Sequence, residues 1–185
     1  MIERVIMAGY GGQGLMMIGK LLAHVVMREG KHVTFLPSYG TEVRGGTANC
    51  HVVISTEEIF SPLVEVADSL LIMNQQSYDK FKAILKPGGT LLINSSVVRP
   101  DGAANGAELI AVPATECASE LGNVRVANMV MAGAYNALKK LVQIPNLLTE
   151  LQASLAGKKA ALFDINKLAL ERGAEFCSTM RSSRT

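Results

Sequence analysis

The sequence predicts an α/β protein: three α/β/α layers on a mostly parallel sheet, opening with a Rossmann-like strand, turn and helix. Two observations carry that expectation. Short apolar runs bounded by turn residues alternate with longer stretches of helical period along the chain. The first such run, residues 5–8, passes directly into Gly9-Tyr10-Gly11-Gly12-Gln13-Gly14 and then into an apolar-rich, helix-length stretch at 15–27. At 185 residues one domain is expected, over 1–177, with a polar, basic tail at 178–185 that frays. With 49% apolar residues, no Trp and nine Met, the core is aliphatic, with methionines filling gaps.

The glycine turn is followed by a helix stop at Glu29-Gly30-Lys31 and a second strand at 32–36, ended by Pro37. Residues 38–47, Ser-Tyr-Gly-Thr-Glu-Val-Arg-Gly-Gly-Thr, have neither period and read as a long, functional loop. Strands follow at 50–55 and 69–74, the latter apolar throughout as in a sheet covered on both faces. A helix at 77–85, a turn at Lys86-Pro87-Gly88-Gly89 and a strand at 90–94 come next. After a polar loop at 98–106, a strand at 108–112 is stopped by Pro113, and Thr115 with Glu116 opens a short helix. Asn128, Met129, Met131, Ala132, Tyr135 and Leu138 have helical spacing, and the small residues 132–134 let that helix pack closely. Pro145-Asn146 breaks it, and two further helices are expected at 147–155 and 159–171.

Bulk chemistry excludes several classes of function. A net charge of +2 without a dense Lys/Arg run gives no footprint for nucleic acid. No apolar run reaches the 18 or so residues of a membrane span. Met1-Ile2-Glu3-Arg4 enters a strand at once, unlike a signal peptide. Cys50, Cys117 and Cys177 lie about sixty residues apart, which fits reduced cytosolic thiols and cannot supply the four grouped thiolates of an iron–sulfur cluster.

Gly9-x-Gly11-x-x-Gly14 satisfies the dinucleotide fingerprint, yet no Asp or Glu stands at the end of the second strand to hold a ribose. Three readings stay open: a turn that lets helix and strand pack closely, a loop facing a phosphate or an interface, and an NAD site. In the second loop, Arg44 could clamp a phosphate or carboxylate and Glu42 could accept from an amine or orient a partner, or both are a solvated pair. His51, inside a strand, reads as structural; His24 and His32 lack metal-ligand spacing. With no G-x-S-x-G and no Cys paired by motif with a His, no catalytic residue and no metal ligand is assigned. Since parallel sheets bind ligands outside the carboxyl ends of their strands, the glycine turn and the second loop are expected to meet on one edge.

Gly9-Tyr10-Gly11-Gly12-Gln13-Gly14 followed by Pro37-Ser38-Tyr39-Gly40-Thr41-Glu42-Val43-Arg44-Gly45-Gly46 resembles the gamma subunit of the 2-oxoacid:ferredoxin oxidoreductases. The likeness continues in Val53-Ile54-Ser55, in Lys86-Pro87-Gly88-Gly89 before a strand, and in Asn128-Met129-Val130 heading a long helix, covering about residues 2–175. It implies a cytosolic, oxygen-sensitive enzyme complex of anaerobic metabolism that decarboxylates a 2-oxoacid to an acyl-CoA and reduces ferredoxin. In that family thiamine diphosphate with Mg sits between alpha and beta subunits, and iron–sulfur clusters lie on beta or a small delta chain. The gamma part packs on this core near where coenzyme A arrives, without a cofactor of its own. The resemblance assigns Gly9, Gly11, Gly12, Gln13 and Gly14 to the family's glycine turn. It assigns Tyr39, Glu42, Arg44, Gly45 and Gly46 to its second loop, with Asn128 heading the long helix. Thr41-Glu42-Val43 departs from the family, which often has proline and methionine around that glutamate. A stand-alone nucleotide-binding oxidoreductase and a purely structural scaffold are the alternatives.

Overall fold

A computed structural model describes residues 1–39, 47–102 and 106–182. Its strands are β1 (Ile2–Tyr10), β2 (His32–Tyr39), β3 (Thr47–Ser55), β4 (Ala67–Ile72), β5 (Leu85–Asn94) and β6 (Glu108–Val112). Its helices are α1 (Leu15–Arg28), α2 (Gln75–Phe81), α3 (Ala114–Glu120), α4 (Ala127–Lys139), α5 (Ile144–Ser154) and α6 (Phe163–Ser182). The strands form one sheet in the order β2-β3-β1-β4-β5-β6. The pairs β1–β4, β4–β5 and β5–β6 are parallel, whereas β3 runs antiparallel to both β1 and β2.

The α/β class and the mostly parallel sheet are thus as expected, with β3 the one reversed strand. Only residues 40–46 separate β2 from β3, and a link that short joins antiparallel neighbours, since a parallel pair needs a crossover of a dozen or so residues. Reversal brings the end of β2, the start of β3 and the end of β1 to one edge. Ala48 pairs with both Tyr39 and Gly9, and Thr47 with Tyr10.

Side chains alternate between the two faces, and both faces are covered. Val5, Met7, Leu71, Leu92 and Ile110 point to the side packed by α1, α3, α4, α5 and α6. Ile6, Ala8, Leu70, Ile72, Leu91 and Ile93 point to the other, where Tyr78 and Phe81 of α2 meet Val64 and Val98. Double burial is why these strands read as unbroken apolar runs.

Helix α6 crosses α4 at backbone contact: a Cβ on Gly133 would fall on the Leu170 carbonyl, and one on Gly173 on the Val130 carbonyl. The small residues 132–134 permit this approach. Helix α4 is also held over the sheet by Tyr135, whose hydroxyl donates to Glu3 Oε1 of β1 at 2.9 Å, an oxygen that accepts from Ser69 Oγ of β4 at 2.5 Å. These contacts hold the later part of α4 over the amino ends of β1 and β4, while its start at Ala127 and Asn128 meets the glycine turn at the carboxyl end of β1.

Several element boundaries differ from the sequence expectation. Strand β2 continues through Pro37, which pairs with Cys50; it is the outermost strand, where a missing N–H is tolerated. Residues 86–89 are not a turn before β5 but a bulge within it: Ala67 pairs with Leu85 and Ser69 already with Thr90. Pro145 lies in the first turn of α5, where its lost N–H would be unbonded in any case. Helix α6 runs on to Ser182, so residues 178–182 are helical. Among the described residues no helix is long and apolar enough to cross a membrane.

Candidate functional site: a donor-lined cleft at the carboxyl edge

The glycine turn is closed by Gln13. Its Oε1 accepts from the Tyr10 N–H at 2.7 Å, its own N–H donates to the Tyr10 carbonyl at 3.2 Å, and its Nε2 reaches the Met73 carbonyl past the end of β4 at 3.3 Å. Gly9 has to be glycine for this closure, because a Cβ there would meet Gln13 Oε1 and come within 2.8 Å of the Met73 Cβ. Gly12 (φ 93°) and Gly14 (φ 76°) turn the chain through the left-handed region into α1.

Gly14 also marks a long-range contact. Asn128, at the start of α4, donates from Nδ2 to the Gly14 carbonyl at 3.4 Å, while its Oδ1 accepts from the Met129 N–H at 2.9 Å. A Cβ on Gly14 would strike that amide. Two residues singled out from the sequence 114 positions apart therefore meet.

Helix α1 begins at Gly14 with no side-chain cap and no acidic residue in its first turn. The turn that leads into this positive end, at Gly12 and Gln13, borders a cleft of about 320 Å³. Gly12, Gln13 and Met73 form one wall of the cleft; Val97, Thr115, Val124, Arg125, Ala127 and Asn128 form the rest. Among the described residues, Arg125 is the only charged one that lines the cleft. Val97 and Val124 are about half exposed at its rim.

The far wall is set by Asn94, fully buried at the end of β5. Its Oδ1 accepts from the Ser96 and Thr115 N–H groups, each at 3.3 Å, and its Nδ2 donates to Thr115 Oγ1 at 2.8 Å. Arg125 is presented by a 3₁₀ turn, Val124–Val126, capped by Asn123, whose Oδ1 accepts from the Arg125 N–H at 3.1 Å.

Of the residues expected at the site, Gly12, Gln13 and Asn128 line the cleft; Gly9 and Gly14 shape the turn beside it, and Gly11 lies in that turn with open space where a side chain would stand. The backbone of Tyr39 ends β2 on the same edge. Thr41, Glu42, Arg44, Gly45 and Gly46 lie outside the described residues. Sequence reasoning missed Arg125, Thr115 and Asn94 as parts of one site. The available signal was Asn123-Val124-Arg125, a capped exposed turn immediately before the helix headed by Asn128.

The remaining candidates have structural settings. His51 Nδ1 accepts from the Val64 N–H at 3.1 Å, and burial holds its pKa below the ordinary histidine value. Cys50 is packed beneath α1, where burial pushes its thiol up to about 12. His24 Nδ1 and Arg28 Nη1 each lie 2.8 Å from the Glu150 carboxylate, between α1 and α5. Among the described residues, no three His, Cys, Asp or Glu side chains converge to hold a metal ion.

Fold and cleft together define an α/β domain with an open cleft at the carboxyl edge of its sheet. Residues 4–176 match the family described as pyruvate ferredoxin/flavodoxin oxidoreductase, and the chain belongs to that family. It is 40% identical to subunit VorA of ketoisovalerate oxidoreductase from Methanothermobacter thermautotrophicus, over 94% of this chain and 36% of that one. The chain thus spans about a third of the length of that relative. The gamma subunit of keto/oxoacid ferredoxin oxidoreductase from Geobacter sulfurreducens superposes with a TM-score of 0.81 at 30% identity, covering 96% of this chain and 99% of its own. The 2-oxoglutarate:ferredoxin oxidoreductase of Magnetococcus marinus, solved with 2-oxoglutarate, coenzyme A and succinyl-CoA bound, shares the fold. It superposes with a TM-score of 0.89 at 24% identity, over 96% of this chain and 31% of that one. The resemblance to gamma subunits read from the two glycine motifs is borne out.

Proposed function

We propose that this chain serves as the gamma subunit of a 2-oxoacid:ferredoxin oxidoreductase, and that its carboxyl-edge cleft receives the phosphate-bearing part of coenzyme A. Alpha and beta subunits, with a delta chain in some complexes, supply thiamine diphosphate, Mg and iron–sulfur clusters in a reducing cytosol. The reaction removes CO₂ from a 2-oxoacid, joins the remaining acyl group to the sulfur of coenzyme A and passes an electron pair to ferredoxin.

The observation that carries this reading is the charge pattern of the cleft. The turn that leads into the uncapped end of α1 and Arg125 border one space, which no carboxylate among the described residues lines. A phosphate there gains from both, as anions do at helix N-termini and arginine forks. Gly12 has no side chain to keep a ligand from the backbone, and Met73, Val97 and Val124 offer apolar surface to the uncharged parts of the molecule. The cleft is open, and the half-exposed valines at its rim await a partner surface. Tyr39, Thr41, Glu42, Arg44, Gly45 and Gly46 belong in this reading to the segment that partner chains or the ligand cover.

The two long relatives are named for different 2-oxoacids, ketoisovalerate and 2-oxoglutarate, although each contains a region like this chain. Selectivity for the acyl chain accordingly belongs to the thiamine-bearing subunits. Co-expression of the chain with its partners tests the assignment. The expected result is a stable complex containing thiamine diphosphate and iron that reduces ferredoxin only when 2-oxoacid and coenzyme A are both present. Partners that turn over fully without this chain, while it elutes alone, would overturn it.

A further inference from the structure

We infer that Thr115 is a ligand contact of this cleft, donating its hydroxyl proton to an acceptor atom of the bound molecule, with buried Asn94 as the positioning residue that fixes the direction of that proton. The inference rests on the cleft being the coenzyme A site and adds a contact on the wall opposite the glycine turn.

An Asn side chain has one acceptor end and one donor end, and its orientation follows from its neighbours. Two backbone N–H groups, of Ser96 and Thr115, converge on one end of Asn94, so that end is the carbonyl oxygen. The other end is the NH₂ group, which donates to Thr115 Oγ1 at 2.8 Å. A hydroxyl that accepts from an NH₂ group cannot direct its own proton back along the same line. Among the described residues no acceptor for the Thr115 proton is found, and Thr115 lines the cleft. The proton is therefore presented to the contents of the cleft, adding a third donor to the α1 amides and Arg125.

Asn94 is fully buried, so this orientation is not exchanged with solvent. A hydroxyl held as an acceptor on one side and a donor on the other also discriminates. Its proton is matched by ligand atoms that carry lone pairs, such as phosphate or amide oxygens.

The test uses the assembled complex. Thr115→Val keeps the shape and removes the donor; the KM for coenzyme A is expected to rise on the order of tenfold, with kcat and the 2-oxoacid KM within about twofold. Thr115→Ser restores the hydroxyl and should return the KM to within about threefold of the parent value. Asn94→Asp replaces the donor end by an acceptor that captures the Thr115 proton. It should reproduce the Thr115→Val effect, and the double variant should show no further rise. Where Asn94→Asp does not assemble, the Thr115 variants alone decide.

Arg125→Ala separates the two levels of the argument. If it raises the coenzyme A KM while Thr115→Val does not, the Thr115 contact is wrong and the site stands. If neither moves it, the cleft is not the coenzyme A site. A Thr115→Val chain that no longer enters the complex would make Thr115 a structural contact and overturn the inference.

Discussion

Two hollows flank α1, and the smaller one has the chemistry. The groove between α1 and α5, about 480 Å³, is lined by Met16, Met17, Leu21 and Leu155 with Lys20, His24 and Glu150. The carboxyl-edge cleft holds about 320 Å³. In the groove, the one carboxylate among the lining residues already lies against His24 and Arg28. In the cleft, an arginine and a threonine line the space beside the turn into the uncapped α1, and among the described residues no acid lines it. Unanswered polarity, more than volume, is what distinguishes a binding site from a packing gap.

The comparison breaks most visibly at Gly14, where the cleft is joined to α4. Gly14→Ala forces a Cβ into the left-handed region and onto the Asn128 amide, which together should destabilise the domain by roughly 2–4 kcal/mol. A thermal scan should show Tm lower by about 10 °C. An unchanged Tm would mean that turn and helix are not coupled through this residue.

The groove gives the milder counterpart. Glu150→Leu removes a nearly buried carboxylate whose partners, His24 and Arg28, are both substantially exposed and able to rehydrate. Replacing a buried ionic group by an apolar one of similar size is often close to neutral, so a change within about 1 kcal/mol is expected. The KM for coenzyme A should stay within about twofold of the parent, as a residue outside the ligand site requires. A large rise in that constant would transfer the ligand site from the cleft to the groove.

The near wall of the cleft was legible in the sequence and the far wall was not, for a physical reason. Gly9, Gly12, Gln13 and Gly14 act over a few residues, where backbone conformation and close approach dictate the amino acid. Asn128 stood out through the resemblance alone; its bond to the Gly14 carbonyl depends on the placing of α4 by Tyr135 and Glu3. Asn94, Thr115 and Arg125 come together only because β5 and β6 lie side by side and α4 folds back over them. No spacing records that. The same limit explains the strands: the apolar runs announced a doubly covered sheet, while the reversal of β3 and the bulge at 86–89 are properties of pairing. Pro37 looked like a strand end because the outermost position of β2, which tolerates it, is a tertiary fact.

The central claim is that an anion enters the cleft between α1 and Arg125, and charge reversal tests it most directly. In the assembled complex, Arg125→Glu should raise the KM for coenzyme A by on the order of a hundredfold, as an attractive ion pair becomes a repulsive one. The 2-oxoacid KM, the kcat at saturating coenzyme A and the Tm should change little, since Arg125 is exposed and its side chain lies in the cleft. A coenzyme A constant unchanged by that reversal would contradict the account.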